Sequence, residues 1–184
     1  MAGKYGDIPL SKVPELLKSP VHEERLLGLI ILVRKYKMFP EQRLAIYELY
    51  RAHTEYINNW DLVDVTVEHI VGAFLDDKDK EPLYAWAGSS SLWERRIAIV
   101  ATYHYIKKGR YDDTLRIARK LLSDEHDLIH KAVGWMLREV GKRDMKVLET
   151  FLKEYYSRMP RTMLRYAIER FPEHKRHAYL KGKV

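Results

Sequence analysis

The sequence has no cysteine, and glycine and proline are scarce, with 9 and 7 among 184 residues. The absence of cysteine excludes a disulfide-stapled fold, a cysteine–zinc site and a cysteine nucleophile. No apolar run approaches the roughly 20 residues that a membrane-spanning helix needs, and the first residues contain no hydrophobic signal core. These absences favour an ordered, soluble protein of the cytoplasm with a sizeable hydrophobic core.

The charge is unevenly distributed along the chain. The formal net charge is +7, made up of a net −3 over residues 1–91 and a net +10 over residues 92–184. Such an asymmetry indicates an anionic partner, most often nucleic acid and less often a membrane surface. The alternative is a helical protein whose lysines and arginines simply face water, and charge alone leaves both open.

Apolar residues recur at helical spacing, and strict apolar–polar alternation is nearly absent, so the pattern predicts an all-α protein. Ser91 and Glu94 form a capping box at one predicted helix start. Pro160 favours another start, and Gly109 and Gly141 lie where helices should end. The predicted helices cover residues 11–18, 21–37, 40–56, 60–75, 82–87, 92–108, 111–122, 127–140, 144–157, 160–171 and 173–181.

The helices also repeat. Aligning Arg25 with Arg96 and Lys131 gives separations of 71 and 35 residues, which indicates a unit of about 35 residues. Such a period is typical of an α-solenoid of HEAT-like helical repeats, an αα superhelix in which one helix of each pair lines a concave surface. We therefore expect residues 1–184 to form one repeat domain with a basic concave groove, and a plain helical bundle is the alternative.

The first turns of the predicted inner helices combine indoles with charged side chains. The pairs, in chain order, are Trp60 with Asp64, Trp93 with Arg96, Lys131 with Trp135, and Arg161 with Arg165. Members of each pair are three or four residues apart and therefore share a helix face. Lysine and arginine on a curved surface can follow phosphates, and exposed indoles can contact bases or a cationic group. The carboxylate of Asp64 among these cations would make sense where a positive charge must be met.

Each of these residues also has an ordinary structural explanation. Asp64 could be an acid that the helix dipole favours. Trp135 could belong to the core, and Arg96 could pair with a nearby acid. His126 and His130 are four residues apart, as in some zinc sites, but no third ligand accompanies them, and we expect neither a metal nor a cofactor.

Three ordered motifs resemble those of the AlkD-like DNA alkylation-repair glycosylases. Trp60-Asp61-Leu62-Val63-Asp64 resembles their W-D-x-V-D element, and residues 93–99 resemble W-x-x-R-x-A-I. Residues 131–139 resemble K-A-[IV]-G-W-x-L-R-E. The resemblance extends from about residue 14 to about residue 171.

The resemblance implies an α-solenoid that holds double-stranded DNA and hydrolyses the glycosidic bond of purines alkylated at N3 or N7, without a deep base-flipping pocket. It implies that Asp64 is the catalytic carboxylate, that Trp60 and Trp135 frame the lesion, and that Arg96 contacts DNA. We expect further phosphate contacts from Arg95, Lys131, Arg161 and Arg165. The resemblance also predicts a monomer that is shortened at the N-terminus, since members usually have further helices before the segment at 20–37.

Two other functions fit the same sequence. One is a non-catalytic DNA-binding paralogue that recognises the structure of distorted DNA. The other is a protein-binding α-solenoid scaffold whose basic groove takes an acidic peptide. A carboxylate between indoles favours the glycosylase, because a scaffold does not need one.

Overall fold

The computed structural model describes residues 8–184, and all the regular structure in that range is helical, as predicted. The chain divides into two compact units, Met1–Asp79 and Lys80–Val184. Among the described residues, no helix is both long enough and apolar enough to cross a bilayer.

The first unit is built around the long helix α2. Its helices are α1 (Val13–Leu17), α2 (His22–Met38), α3 (Arg43–Arg51), α4 (Trp60–Asp64) and a π-helical segment (Glu68–Gly72), with 3₁₀ turns at Leu10–Lys12, Pro40–Gln42 and Thr54–Tyr56. The other four helical segments each pack against α2. The core there includes Leu29, Leu32, Ile46 and Leu62, which are inaccessible to solvent.

The second unit is built around the long helix α9. Its helices are α5 (Glu81–Trp86), α6 (Leu92–Ala101), α7 (Tyr103–Ile106), α8 (Asp112–Lys120), α9 (Asp127–Arg143), α10 (Met145–Tyr155), α11 (Arg161–Ala167) and α12 (Glu173–Leu180), with a 3₁₀ turn at Tyr156–Arg158. Helices α6 and α11 both pack against α9, and α8 and α10 also contact it. Helices α6, α9 and α11 therefore form a packed row in the second unit.

Two predicted helices are interrupted at buried threonines. The helix predicted over 60–75 breaks after Asp64, and the one predicted over 92–108 divides at Thr102. Thr66 Oγ1 donates to the Leu62 carbonyl at 2.5 Å, and Thr102 Oγ1 donates to the Ile99 carbonyl at 2.7 Å. Because such hydroxyls compete with the helical hydrogen bonds, they bend or interrupt a helix.

Gly109 and Gly141 were both predicted to end a helix, and only one of them does. Gly109 follows α7 with a φ of 71°, a conformation that favours glycine, and the predicted helix end is confirmed. The end predicted at Gly141 is wrong, because α9 continues to Arg143. Leu148 lies so close to Gly141 that a Cβ atom there would collide with it. Gly141 is thus a packing glycine inside a helix.

A recurring turn sets the register of the repeat. Ser19 Oγ donates to Glu24 and Ser89 Oγ donates to Glu94, each at 2.5 Å. The next residue, Arg25 in one turn and Arg95 in the other, donates back to the carbonyl of that serine, at 2.9 and 3.0 Å.

A third copy of this turn precedes α9. There His130 Nε2 donates to the Asp124 carbonyl at 2.5 Å, in the place of the arginine. Ser19, Ser89 and Asp124 are separated by 70 and 35 residues, so the period of about 35 is real. Arg25 corresponds to Arg95, and the sequence alignment of Arg25 with Arg96 was wrong by one residue.

Candidate functional site

Helix α4 presents an indole and a carboxylate. Asn59 caps the helix, with its Oδ1 accepting from the Trp60 amide at 2.8 Å. Trp60 is the first residue of the helix and is 53% exposed, while Asp64 ends the helix and is half-buried. Because the two residues are four apart, they lie on the same face of α4. We call Trp60 and Asp64 the α4 pair.

Asp61 anchors the α4 pair to the rest of the first unit. Its Oδ2 lies 2.7 Å from His22 Nε2 at the start of α2, and its Oδ1 accepts from the Leu62 amide at 2.8 Å. The His22 and Asp61 side chains are 29% and 27% exposed. The histidine lies 39 residues earlier in the sequence, and no sequence pattern predicted this contact.

A buried tyrosine lies behind Asp64. Tyr50 is inaccessible to solvent, and its hydroxyl is 3.4 Å from Thr66 Oγ1. Burial raises the pKa of Tyr50, and the nearby charge of Asp64 raises it further. The Tyr50 hydroxyl therefore stays protonated at neutral pH.

Helix α9 carries the second set of predicted residues. Lys131 Nζ pairs with Asp127 at 2.7 Å, and this hydrogen bond raises the pKa of Lys131. Trp135 is half-buried, and its ring packs against Tyr103 with centroids 5.9 Å apart. Trp135 therefore belongs neither fully to the core nor fully to the surface. We call Lys131 and Trp135 the α9 pair.

Arg96 is largely buried. Only 5% of its surface is exposed, and its Nη1 donates to the Leu128 carbonyl at 2.5 Å. The bond joins α6 to the first turn of α9. The charge of Arg96 is also close enough to oppose the increase in the pKa of Lys131. Arg96 thus lies beside the α9 pair, and its contact with DNA stays a prediction.

The predicted phosphate contacts fall into two groups. Arg95 is engaged internally: its Nε pairs with Asp124 at 2.6 Å, and its Nη1 donates to the carbonyls of Ser89 and Ser90. Arg161 and Arg165 are exposed on α11, and no carboxylate within residues 8–184 pairs with either. Arg161 and Arg165 are thus available to an anion. A phosphate could bind Arg95 only by displacing Asp124 and the two carbonyls that Arg95 already bonds.

The helix caps place four of the predicted residues at one position of the repeat. The N-caps of α4, α6, α9 and α11 are Asn59, Ser91, His126 and Pro160. Five residues after these caps come, in order, Asp64, Arg96, Lys131 and Arg165. At this position of the repeat the first unit therefore has a carboxylate, Asp64, and the second unit has three cations, Arg96, Lys131 and Arg165.

The two histidines of the candidate metal pair have structural partners. His126 Nδ1 accepts from the Leu128 amide at 3.2 Å and so caps α9, while His130 bonds the Asp124 carbonyl. Within the described range, no three side chains of the types that bind metals are grouped together.

Comparison with known proteins identifies the family. The family model described as "DNA alkylation repair enzyme" matches residues 7–171. The chain belongs to this family. Membership implies that its substrate is DNA.

A solved structure resembles the chain over most of its length. It is described as a predicted DNA alkylation repair enzyme from Enterococcus faecalis, and it matches with a TM-score of 0.72 and 17% identity. The match covers 92% of this chain and 80% of the other. At this identity the likeness shows the fold alone, which is the helical-repeat fold expected from the sequence. No curated protein matches the chain.

Proposed function

We propose that this protein is a DNA glycosylase that hydrolyses the N-glycosidic bond of cationic N3- or N7-alkylated purines in double-stranded DNA. The observation that carries the proposal is the α4 pair, an exposed indole and a carboxylate on one face of a helix that the His22–Asp61 contact anchors. Membership in the DNA alkylation repair family supports it.

The chemistry of the lesion explains why a single carboxylate and a few binding groups would be enough to catalyse cleavage of the glycosidic bond. Alkylation at N3 or N7 gives the purine a positive charge, so the base leaves as a neutral molecule with the electrons of the C1′–N bond. The sugar then carries positive charge, as in the transition state of glycoside hydrolysis. Water adds to C1′, and its proton is released, so the products are the free base and an abasic sugar.

Asp64 is the group that stabilises the charge on the sugar. A carboxylate lowers the barrier most when it is already in place before the charge develops. Asn59 and Asp61 fix the helix that carries Asp64. Asn59 and Asp61 therefore hold α4 so that the carboxylate of Asp64 is in position before the charge develops.

The indoles and the cations supply binding. Trp60 and Trp135 contact the backbone and sugar beside the lesion through their faces, with a cation–π contribution from the alkylated base. Lys131, Arg161 and Arg165 contact phosphates, and Arg96 holds α6 and α9 in register beneath them.

The test is release of 7-methylguanine from methylated duplex DNA. We expect the native protein to release the base above the spontaneous rate and Asp64→Asn to lower the rate constant by about 100-fold, which is the usual effect of removing one electrostatic group. Asp77→Asn is the matched control, since it neutralises an exposed aspartate of the same unit. It should retain the native rate.

Native protein that releases no base would exclude the enzyme. If that protein still bound DNA in a salt-sensitive way that is indifferent to Asp64→Asn, the result would indicate the non-catalytic DNA-binding paralogue. A rate unchanged by Asp64→Asn would leave the activity but remove Asp64 from it. Absence of any DNA affinity at moderate salt would favour the protein-binding scaffold.

A further inference from the structure

A groove runs between α8 and α10 in the second unit, and the helices that carry Arg96, Lys131 and Arg165 contribute no residue to its lining. Its volume is about 470 Å³, within the range of sites that enclose a ligand or a bulky side chain. The residues of the proposed glycosylase site do not line it. We call it the α8–α10 groove.

The floor of the groove is apolar. Leu115 of α8 and Val147, Phe151 and Tyr155 of α10 contribute to its lining. Leu115 and Val147 are partly exposed, whereas Phe151 and Tyr155 are 5% and 9% exposed. Burial of a further apolar side chain against this floor would be favourable, because it removes apolar surface from water.

The rim of the groove is rich in unpaired cations. Arg119 and Lys146 line it, and Lys120 lines an adjoining pocket of about 300 Å³ that shares Arg119. All three are exposed, and none of them pairs with a carboxylate of residues 8–184. Arg116 lies between the two pockets, its guanidinium held 4.6 Å from the centre of the Tyr84 ring.

The floor and the rim favour a peptide over a nucleic acid. Base stacking needs an exposed aromatic face, but Phe151 and Tyr155 pack on each other, with ring centroids 4.8 Å apart, and are almost covered. The carboxylates of Asp112 and Glu154 also line the groove, so an anionic occupant must place its charges at the cations of the rim and not beside these two, which a peptide can do and a uniform chain of phosphates cannot. The same carboxylates accept hydrogen bonds from peptide N–H groups.

We propose that the α8–α10 groove binds an acidic peptide that carries a bulky apolar side chain. The apolar side chain enters between Leu115 and Val147, and the flanking carboxylates meet Arg119, Lys120 and Lys146. Apolar anchoring with complementary charge at the rim is a common mode of peptide recognition. The site would recruit a partner protein through residues other than those proposed to contact DNA.

The test uses the whole protein and a fluorescein-labelled peptide of aspartates around one phenylalanine, followed by fluorescence anisotropy at low salt. We expect saturable binding that weakens at least about tenfold when the phenylalanine of the peptide is replaced by serine, because the anchor is lost. Val147→Asp and the double variant Arg119→Glu/Lys146→Glu should each weaken binding by about tenfold or more. Circular dichroism melts establish that each variant is folded.

The matched control is Lys153→Glu. Lys153 is exposed on the same helix α10 but does not line the groove, and its reversal gives the same change in charge per residue as each reversal in Arg119→Glu/Lys146→Glu. It should change the affinity by less than about twofold. Absence of saturable binding, an equal loss with Lys153→Glu, or no effect of the serine peptide would each overturn the proposal. Competition by single-stranded oligothymidylate as effective as by unlabelled peptide would overturn it in favour of a nucleic-acid site. None of these readouts depends on glycosylase activity.

Discussion

His22 and Asp61 are joined by a contact of 2.7 Å that fixes the start of α4 to the start of α2. Asp61 follows Trp60 directly and precedes Asp64 by three residues. The orientation of both members of the α4 pair therefore depends on a histidine from another helix.

The His22–Asp61 contact should be measurable as a coupling energy. In a double-mutant cycle with His22→Ala and Asp61→Ala, we expect about 1 kcal/mol of coupling in the free energy of unfolding, because the contact is partly buried. The measurement is urea unfolding at neutral pH. Both single variants should also release 7-methylguanine several-fold more slowly than native protein. Additive effects on stability would show that the contact does not hold α4.

Arg95 should be important for stability and not for DNA affinity. Its guanidinium pairs with Asp124, whose side chain is only 6% exposed, and bonds two carbonyls of the turn before α6. Arg95→Ala leaves that carboxylate buried without its partner, and we expect a loss of about 2 kcal/mol in the free energy of unfolding. Arg158→Ala, at an exposed position, should change it by less than about 0.5 kcal/mol. Equal effects of the two substitutions would contradict the structural role.

Arg161 and Arg165 should be important for DNA affinity and not for stability. Removing both exposed cations by Arg161→Ala/Arg165→Ala should lower the slope of log K against log salt by about 2, since each phosphate contact contributes a little under one unit. The thermal midpoint should be unchanged. The control is Lys153→Ala/Arg158→Ala, which removes two exposed cations elsewhere in the same unit. A slope that falls equally in both double variants would indicate a diffuse charge effect.

Gly134 should not tolerate a methyl group. A Cβ atom there would lie 2.5 Å from the Met163 carbonyl oxygen and from Tyr166 Cβ, because α9 and α11 pack closely at this point. Backbone cannot move as a side chain can, so Gly134→Ala should lose about 2 kcal/mol of unfolding free energy. Gly88→Ala is the control, since its nearest contact is the flexible end of Lys120 at 3.2 Å. A stable Gly134→Ala variant would contradict this packing.

Glu139 should make the protein acid-sensitive. Burial alone would raise the pKa of Glu139, but hydrogen bonds from Lys142 and Arg143 outweigh burial and hold it below its ordinary value of 4.5. A depressed pKa in the folded state means that the stabilisation is present above the unfolded pKa and is lost as the pH falls through the folded pKa.

We therefore expect Glu139→Gln to destabilise the protein at neutral pH by about 2 kcal/mol and to flatten the fall in stability as the pH drops below 4.5, the ordinary pKa of a glutamate. Urea unfolding at several pH values measures both effects. A parallel pH dependence in native protein and Glu139→Gln would contradict the assignment.

The helical architecture could be predicted because it depends on local patterns. Apolar spacing, the Ser91 cap and Pro160 are each confined to one turn of chain. The helix breaks were missed because Thr66 and Thr102 compete for carbonyls only in the folded chain. Ser19 and Ser89, each followed after five residues by Glu-Arg, were the signal for the true register, and the comparison of arginines alone did not detect it.

The sequence could predict which residues belong to the candidate site. It could not predict which other residues hold them in place. Asn58 and Asn59 are residue types typical of a turn and a helix cap, and Trp60 directly after them is exposed. His22 and Tyr103, which hold Asp61 and Trp135, are far from them in sequence and belong to no motif. Such contacts arise from packing between helices, which periodicity does not specify.

The exposure of Trp60 has a practical consequence. The protein has four tryptophans, all within the described residues; Trp60 is exposed, while Trp86, Trp93 and Trp135 are partly covered. Acrylamide or iodide will therefore collide first with the excited indole of Trp60 and quench its emission. A duplex lying over α4 would shield that indole, so the arrival and departure of DNA can be followed in real time by intrinsic fluorescence without an added dye.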